Sequence, residues 1–91
     1  MEYIVEAIIP DPDNIYAVFS NAQDKCLAIQ IHHESSIDDI SLQDKILFDW
    51  EPYGPGTAKN ITKDKDIHLI VMDAGLTRQE IKEKHFPSFP A

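Results

Sequence analysis

The sequence of 91 residues has a single cysteine, few basic residues and no long apolar run. Because Cys26 cannot form an internal disulfide, the sequence is typical of a reducing compartment. The longest apolar stretches, 7–9 and 69–72, are far shorter than the ~20 residues of a membrane-spanning helix. The sequence does not start with a basic segment followed by an apolar one, so no secretory signal is predicted. We therefore expect a cytoplasmic protein with no membrane partner.

Positive charge is scarce, above all in the first half of the sequence. Eight Lys and Arg residues stand against 16 Asp and Glu residues, and the formal net charge is −8. Residues 1–51 contain 11 acidic and two basic side chains, a balance of −9, whereas residues 52–91 contain five acidic and six basic ones, a balance of +1. Because negative charge repels a phosphate backbone, direct nucleic-acid binding is disfavoured. The charge is compatible with a basic partner protein, and it also promotes solubility.

The length and the hydrophobic content of 43% are typical of one small folded domain. Apolar residues alternate along several short segments, which is the period of a β-strand with one buried face. Strands are predicted at residues 3–9, 15–19, 26–33, 45–50 and 67–72, with 57–62 as a sixth candidate. The first three are expected to form an antiparallel meander, because consecutive strands with short links usually pair. We predict a mainly β fold, a small antiparallel β-barrel or rolled sheet of five to six strands.

The end of the sequence predicts a short C-terminal helix. Thr77 and Glu80 have the spacing of a capping box, and Pro87 cannot continue the helix that they begin. So short a helix is marginal alone and would have to pack on the sheet. We predict one domain over residues 1–86 and a tail over residues 87–91.

Two segments interrupt the strand pattern. Residues 51–56 contain two prolines and two glycines, which predicts a break without regular strand pairing. Residues 34–44 fit either a short helical turn or a loop, and Ile37, Ile40 and Leu42 are expected to anchor either form. The last strand is predicted to end at Met72.

The residues that often carry catalysis or bind metals show no such pattern here. In a regular strand, His32 and His33 would point to opposite faces and could not hold one metal ion together. His68 is expected on the solvent side of its strand. As a nucleophile, Cys26 would need a neighbouring base and a lowered pKa, and Lys25 would point to the other strand face. We predict no catalytic residues, no metal site, no cofactor and no enzymatic activity.

Aromatic and acidic residues come together just before the Gly/Pro break. Residues 34–53 contain six acidic side chains and one basic residue, Lys45. Tyr and Trp are common in binding hot spots. Phe48 and Trp50 share a strand face and are expected in the core, whereas Tyr53 falls in the break. The predicted partner-binding residues are Asp38, Asp39, Asp49, Glu51 and Tyr53.

These observations favour a non-enzymatic protein–protein interaction module with an acidic docking surface. A narrower form of this hypothesis is an inhibitor or immunity-type protein that neutralises a cationic nuclease or toxin through electrostatic steering. The alternative is a small-molecule- or carbohydrate-binding β-barrel, in which Trp50, Tyr53 and the histidines line the site. The identity of the partner and the oligomeric state stay open.

Overall fold

Six strands and one α-helix make up most of the residues that the structure describes, 1–48 and 54–90 of a computed structural model. In chain order they are β1 (Glu2–Pro10), β2 (Ile15–Ser20), β3 (Cys26–Ile31), β4 (Lys45–Leu47), β5 (Gly54–Asn60), β6 (Lys65–Leu76) and α1 (Arg78–Lys84). The strands form a closed antiparallel barrel in the order β1-β2-β3-β6-β5-β4. The prediction of a mainly β fold with a short C-terminal helix is confirmed. Of the two predicted forms, a barrel and a rolled sheet, the structure has the closed barrel.

The core lies inside the barrel, where alternate side chains of the strands meet. The largest of its fully buried members are Phe19, Ile29, Ile46, Ile67 and Leu69. The predicted strand faces are confirmed for β2, β3, β4 and the first half of β6.

A second apolar cluster lies outside the barrel, where α1 covers the outer faces of β2 and β3. Ile81, Phe86 and Phe89 pack there with Val18 and other outward-facing residues of the two strands. The Thr77 hydroxyl accepts from the Glu80 N–H, and the Glu80 carboxylate accepts from the Thr77 N–H, which confirms the capping box. The predicted tail contributes a buried side chain, because Phe89 is only 2% exposed. With seven residues α1 is short, and no helix of the described residues is long and apolar enough to span a membrane.

The inward face of β1 changes halfway along the strand. The sequence pattern placed Tyr3, Val5, Ala7 and Ile9 on one face, but the register with β2 shifts between Val5 and Ala7. This β-bulge at Glu6 adds one residue and reverses the alternation. Tyr3 and Val5 therefore lie in the barrel core, whereas Ala7 and Ile9 pack in the outer cluster. The single-face prediction for β1 is wrong for this reason.

The predicted break at residues 51–56 is wrong for residues 54–56, which belong to β5 and pair with β6, and residues 51–53 lie outside the described residues. The described β4 pairs only with the far end of β5, so Pro55 lies where one side of the strand has no described neighbour. A missing N–H is tolerated at such a position. Gly56 leaves room for the ring of Phe48, since a Cβ atom at Gly56 would lie 3.2 Å from Phe48 Cε1.

The last strand is longer than predicted, because β6 continues beyond Met72 to Leu76. The register between β3 and β6 shifts on both sides of Ala28, and Gly75 has a φ of 65°. Glycine adopts this left-handed conformation without steric cost. The strand bends here and leads directly into the N-terminus of α1.

Candidate functional site

The connection between β3 and β4, residues 32–44, contains the short helical turn that the sequence left open. It is a 3₁₀ turn at Ile37–Asp39, begun by Ser36. The Ser36 hydroxyl accepts from the Asp38 N–H at 3.2 Å, and the Asp39 carboxylate accepts from the Ser36 N–H at 2.9 Å. We call residues 32–44 the β3–β4 loop.

A buried polar network fixes this loop on the barrel. Asn60 of β5 is fully buried, and its amide donates to the Asp39 carbonyl at 2.9 Å and to the Asp44 carboxylate at 2.8 Å. The same carboxylate accepts from the Ser41 N–H at 2.8 Å. Asp44 is only 5% exposed, so this acid does not contribute to the acidic surface predicted for its segment.

The predicted partner-binding residues fall into three groups. Asp38 is exposed, and its carboxylate has no hydrogen-bond or ion-pair partner within residues 1–48 and 54–90. The Asp39 carboxylate is engaged, because it caps the 3₁₀ turn and lies 3.5 Å from Lys65 Nζ. The predictions that fall outside the described residues are those for Asp49, Trp50, Glu51 and Tyr53.

An apolar groove of about 560 Å³ runs between the β3–β4 loop and the C-terminal segment. Ile8 of β1 contributes to its lining, Ile37 and Leu42 come from the loop, and Phe89 and Pro90 from the C-terminal segment. Ile37 is 41% exposed and Leu42 is 58% exposed, so the prediction that both anchor the loop is wrong. Ile40 alone of the three predicted anchors is buried.

One acidic residue of the groove is neutralised within the fold. The Glu6 carboxylate accepts from two Arg78 nitrogens, at 3.0 and 3.3 Å, and from the Ser20 hydroxyl at 2.6 Å. These hydrogen bonds, first that of Arg78 and then that of Ser20, hold the pKa of Glu6 below its usual range. Arg78 also donates to Asp24 at 2.8 Å. Glu6 therefore ties the bulge of β1 to α1.

Four ligand-type side chains meet at another place on the barrel, and we call them the histidine cluster: His32, His33, Glu34 and His68. Because β3 ends at Ile31, the two adjacent histidines are not in a regular strand, and their ring centroids lie 4.0 Å apart. The argument that they must point to opposite faces is wrong for this reason. Ligand atoms of His32, His33 and Glu34 all lie within 4.8 Å of one another, and His68 Nε2 lies 3.8 Å from Glu34 Oε2.

Backbone hydrogen bonds hold the two segments of the histidine cluster together. The His32 N–H donates to the His68 carbonyl at 2.9 Å, and the His68 N–H donates to the Ser35 hydroxyl at 2.9 Å. The Ser35 N–H in turn donates to the His32 carbonyl at 2.9 Å. These three bonds fix the start of the β3–β4 loop against β6, and they position the backbone of the cluster.

The remaining reactive groups lie apart from one another. Cys26 is fully buried in the outer cluster, and burial raises the pKa of its thiol, so the thiol stays protonated at neutral pH. His85 Nε2 lies 3.0 Å from Asp73 Oδ2, and this contact lowers the pKa of Asp73. Thr57 Oγ1 lies 3.5 Å from His68 Nδ1, which is longer than the hydrogen bond through which a base activates a hydroxyl.

Comparisons of the chain with protein-family models, with curated proteins and with solved structures found no match. No residue role or ligand is therefore carried over from a relative. The apolar groove and the histidine cluster both leave binding groups open to solvent, and function is inferred from their geometry.

Proposed function

We propose that this protein is a non-enzymatic protein-binding module that docks a basic segment of a partner protein on the apolar groove. The observation that carries the proposal is the exposure of Ile37 and Leu42, 41% and 58%, on a loop that a buried network holds in place. Adjacent large apolar side chains on a surface are typical of interaction sites. Because the loop is ordered before binding, little conformational entropy is lost when a partner docks.

The charge around the groove defines the chemistry of the partner. Residues 26–44 contain four acidic side chains and no Lys or Arg. Asp38 directly follows Ile37, and its exposed carboxylate has no described partner. A complementary segment would place an apolar side chain between Ile37 and Phe89 and a Lys or Arg beside Asp38. Opposite charges would also speed the encounter of the two proteins.

An inhibitor or immunity-type protein is the narrower form of this proposal. It is supported by the net charge of −8, which would attract a cationic nuclease or toxin. In that case the rate constant of association would fall steeply as salt is added, because salt screens charges that are separated by more than about 10 Å at 0.1 M. A rate constant that does not change with salt would rule this form out.

A small-molecule- or carbohydrate-binding barrel is less well supported. Apolar side chains from every strand meet inside the described barrel, so a ligand would have to bind on the outside. Trp50 and Tyr53, which the sequence proposed for such a site, lie outside the described residues. The groove, by contrast, presents apolar side chains to solvent, and the exposed Asp38 directly follows one of them, Ile37, in the sequence.

The experiment compares three forms of the protein in a quantitative pull-down from the source extract. The groove variant combines Ile37→Ser with Leu42→Ser. The matched control combines Ile61→Ser with Met72→Ser, which removes two exposed apolar side chains, 46% and 37% exposed, from elsewhere on the surface. We expect a partner that binds the wild type and the control equally and the groove variant at least about tenfold more weakly, as for hot-spot residues.

A partner that binds all three forms equally would contradict docking on the groove. A second variant tests the acidic component by changing Asp38, Asp39 and Asp49 to Asn and Glu51 to Gln. Its binding should be weaker, with the loss largest at low salt. Unchanged binding by this variant would show that the acidic residues serve solubility alone.

A further inference from the structure

The histidine cluster carries an inference that is independent of partner docking. Two imidazoles and one carboxylate of the β3–β4 loop, those of His32, His33 and Glu34, form one group, and the His68 imidazole of β6 lies 3.8 Å from the Glu34 carboxylate. We propose that the cluster is a zinc site, in which Glu34 and nitrogens of His32, His33 and His68 bind one Zn²⁺ ion.

The donor atoms are those that zinc prefers. Neutral imidazole nitrogens and carboxylate oxygens bind Zn²⁺ at about 2.0–2.2 Å, usually in a tetrahedral arrangement. The hard cations Ca²⁺ and Mg²⁺ prefer sites made of oxygen ligands alone. With three imidazoles, the cluster selects a transition metal over these two ions.

The distances between the donors are close to what a tetrahedral site requires. Ligand atoms around a tetrahedral zinc ion are about 3.4 Å apart, which follows from the bond lengths. His68 Nε2 and Glu34 Oε2 are already 3.8 Å apart, and the other three donors lie within 4.8 Å of one another. His33 and Glu34 are exposed, and rotation of their side chains would bring the donors closer together.

The surroundings of the cluster support metal binding in two ways. The three hydrogen bonds through His32, Ser35 and His68 order the backbone before any ion arrives, which lowers the entropic cost of binding. His32, Glu34 and His68 also line one surface depression of about 350 Å³, which has room for the ion. An Nδ1 proton of His68 directed at the Thr57 hydroxyl would leave the lone pair of Nε2 for the metal.

The test is a calorimetric titration of the tag-free, chelator-treated protein with Zn²⁺. The cluster variant combines His33→Ala with His68→Ala, and the control is His85→Gln, a histidine that contacts Asp73 instead. We expect one Zn²⁺ per chain for the wild type and the control, and binding at least about tenfold weaker for the cluster variant. Zn²⁺ should raise the melting temperature of the first two only, because an ion that binds the folded state stabilises it.

Cobalt provides a second readout, since the visible spectrum of bound Co²⁺ reports the coordination geometry. A tetrahedral Co²⁺ spectrum that appears for the wild type and not for the cluster variant would support the site. Circular dichroism verifies that the variant is folded. The proposal is overturned if the wild type binds no stoichiometric Zn²⁺, if the cluster variant binds it equally well, or if equimolar Mg²⁺ displaces it.

Discussion

The β3–β4 loop has an inward side and an outward side that differ in almost every property. Ile40 and Asp44 face inward and are buried, and Asn60 holds the Asp44 carboxylate. Ile37 and Leu42 face outward and stay exposed, although they are as apolar as Ile40. The comparison shows that buried polar groups hold the inward side of this loop, and that two of its apolar groups stay exposed.

Replacing Asn60 by Ala should cause the largest loss of stability, because it removes the buried amide that holds the inward side of the loop. The change leaves the Asp44 carboxylate and the Asp39 carbonyl without their amide donor. An unsatisfied buried polar group costs about 1–3 kcal/mol, and more if it is charged, so we expect a loss of about 3 kcal/mol in the free energy of unfolding. Urea denaturation followed by circular dichroism measures this loss.

Lys59→Ala in the same strand is the control for this variant. Lys59 makes an exposed ion pair with Asp64, so its removal should have a much smaller effect. A loss below about 1 kcal/mol for Asn60→Ala would mean that the loop does not depend on the network.

Replacing Glu6 by Gln should have an intermediate effect that depends on pH. Hydrogen bonds from Arg78 and Ser20 lower the pKa of Glu6 below its ordinary value of 4.5. A lowered pKa in the folded state adds stability that is fully present above the unfolded value and is lost as the pH falls through the folded one. We expect Glu6→Gln to cost about 1 kcal/mol at pH 7, given its partial exposure.

Urea denaturation of Glu6→Gln and the wild type at pH 7 and at pH 3 measures this difference. The difference between the two proteins should shrink from pH 7 to pH 3, because the wild type loses the added stability as the pH falls below 4.5 and through the lowered pKa of Glu6. Asp38→Asn removes the same charge from the outward side of the loop, where the carboxylate has no described partner, and should match the wild type at pH 7. An equal difference at both pH values would show that the Glu6 charge does not contribute.

The sequence pattern predicted the strands well because local alternation reports burial. It did not predict the bulge at Glu6, which depends on how β1 pairs with β2. It also did not predict that Pro55 lies in a strand, where one side of β5 has no described neighbouring strand. Both outcomes depend on contacts between distant segments. The alternation of a single strand contains no information about them.

The candidate site was less predictable than the fold, for a related reason. Asp38 and Asp44 are acidic residues of the same loop, and the residues around them do not indicate which of the two is buried. Asn60, which is 16 residues beyond Asp44, makes the contact that buries Asp44. His32 and His33 were assigned to a regular strand, whereas β3 ends at Ile31, directly before them. His68 joins them from β6. The two polar residues before a turn, Ser35 and Ser36, were the local signal that the strand had ended.

Changing Ile37 and Leu42 together to Ser should have the smallest effect on stability. Ile37 is 41% exposed and Leu42 is 58% exposed, so each buries much less apolar surface than Ile40, and we expect a change of about 0.5 kcal/mol in urea denaturation. Binding of a partner would be lost in the same variant, because the docking surface is removed while the inward side of the loop is kept. A loss above about 1 kcal/mol would instead mean that the two residues anchor the loop, as their sequence spacing had suggested. The free energy of unfolding and the partner affinity of this one variant therefore decide between an anchoring and a docking role.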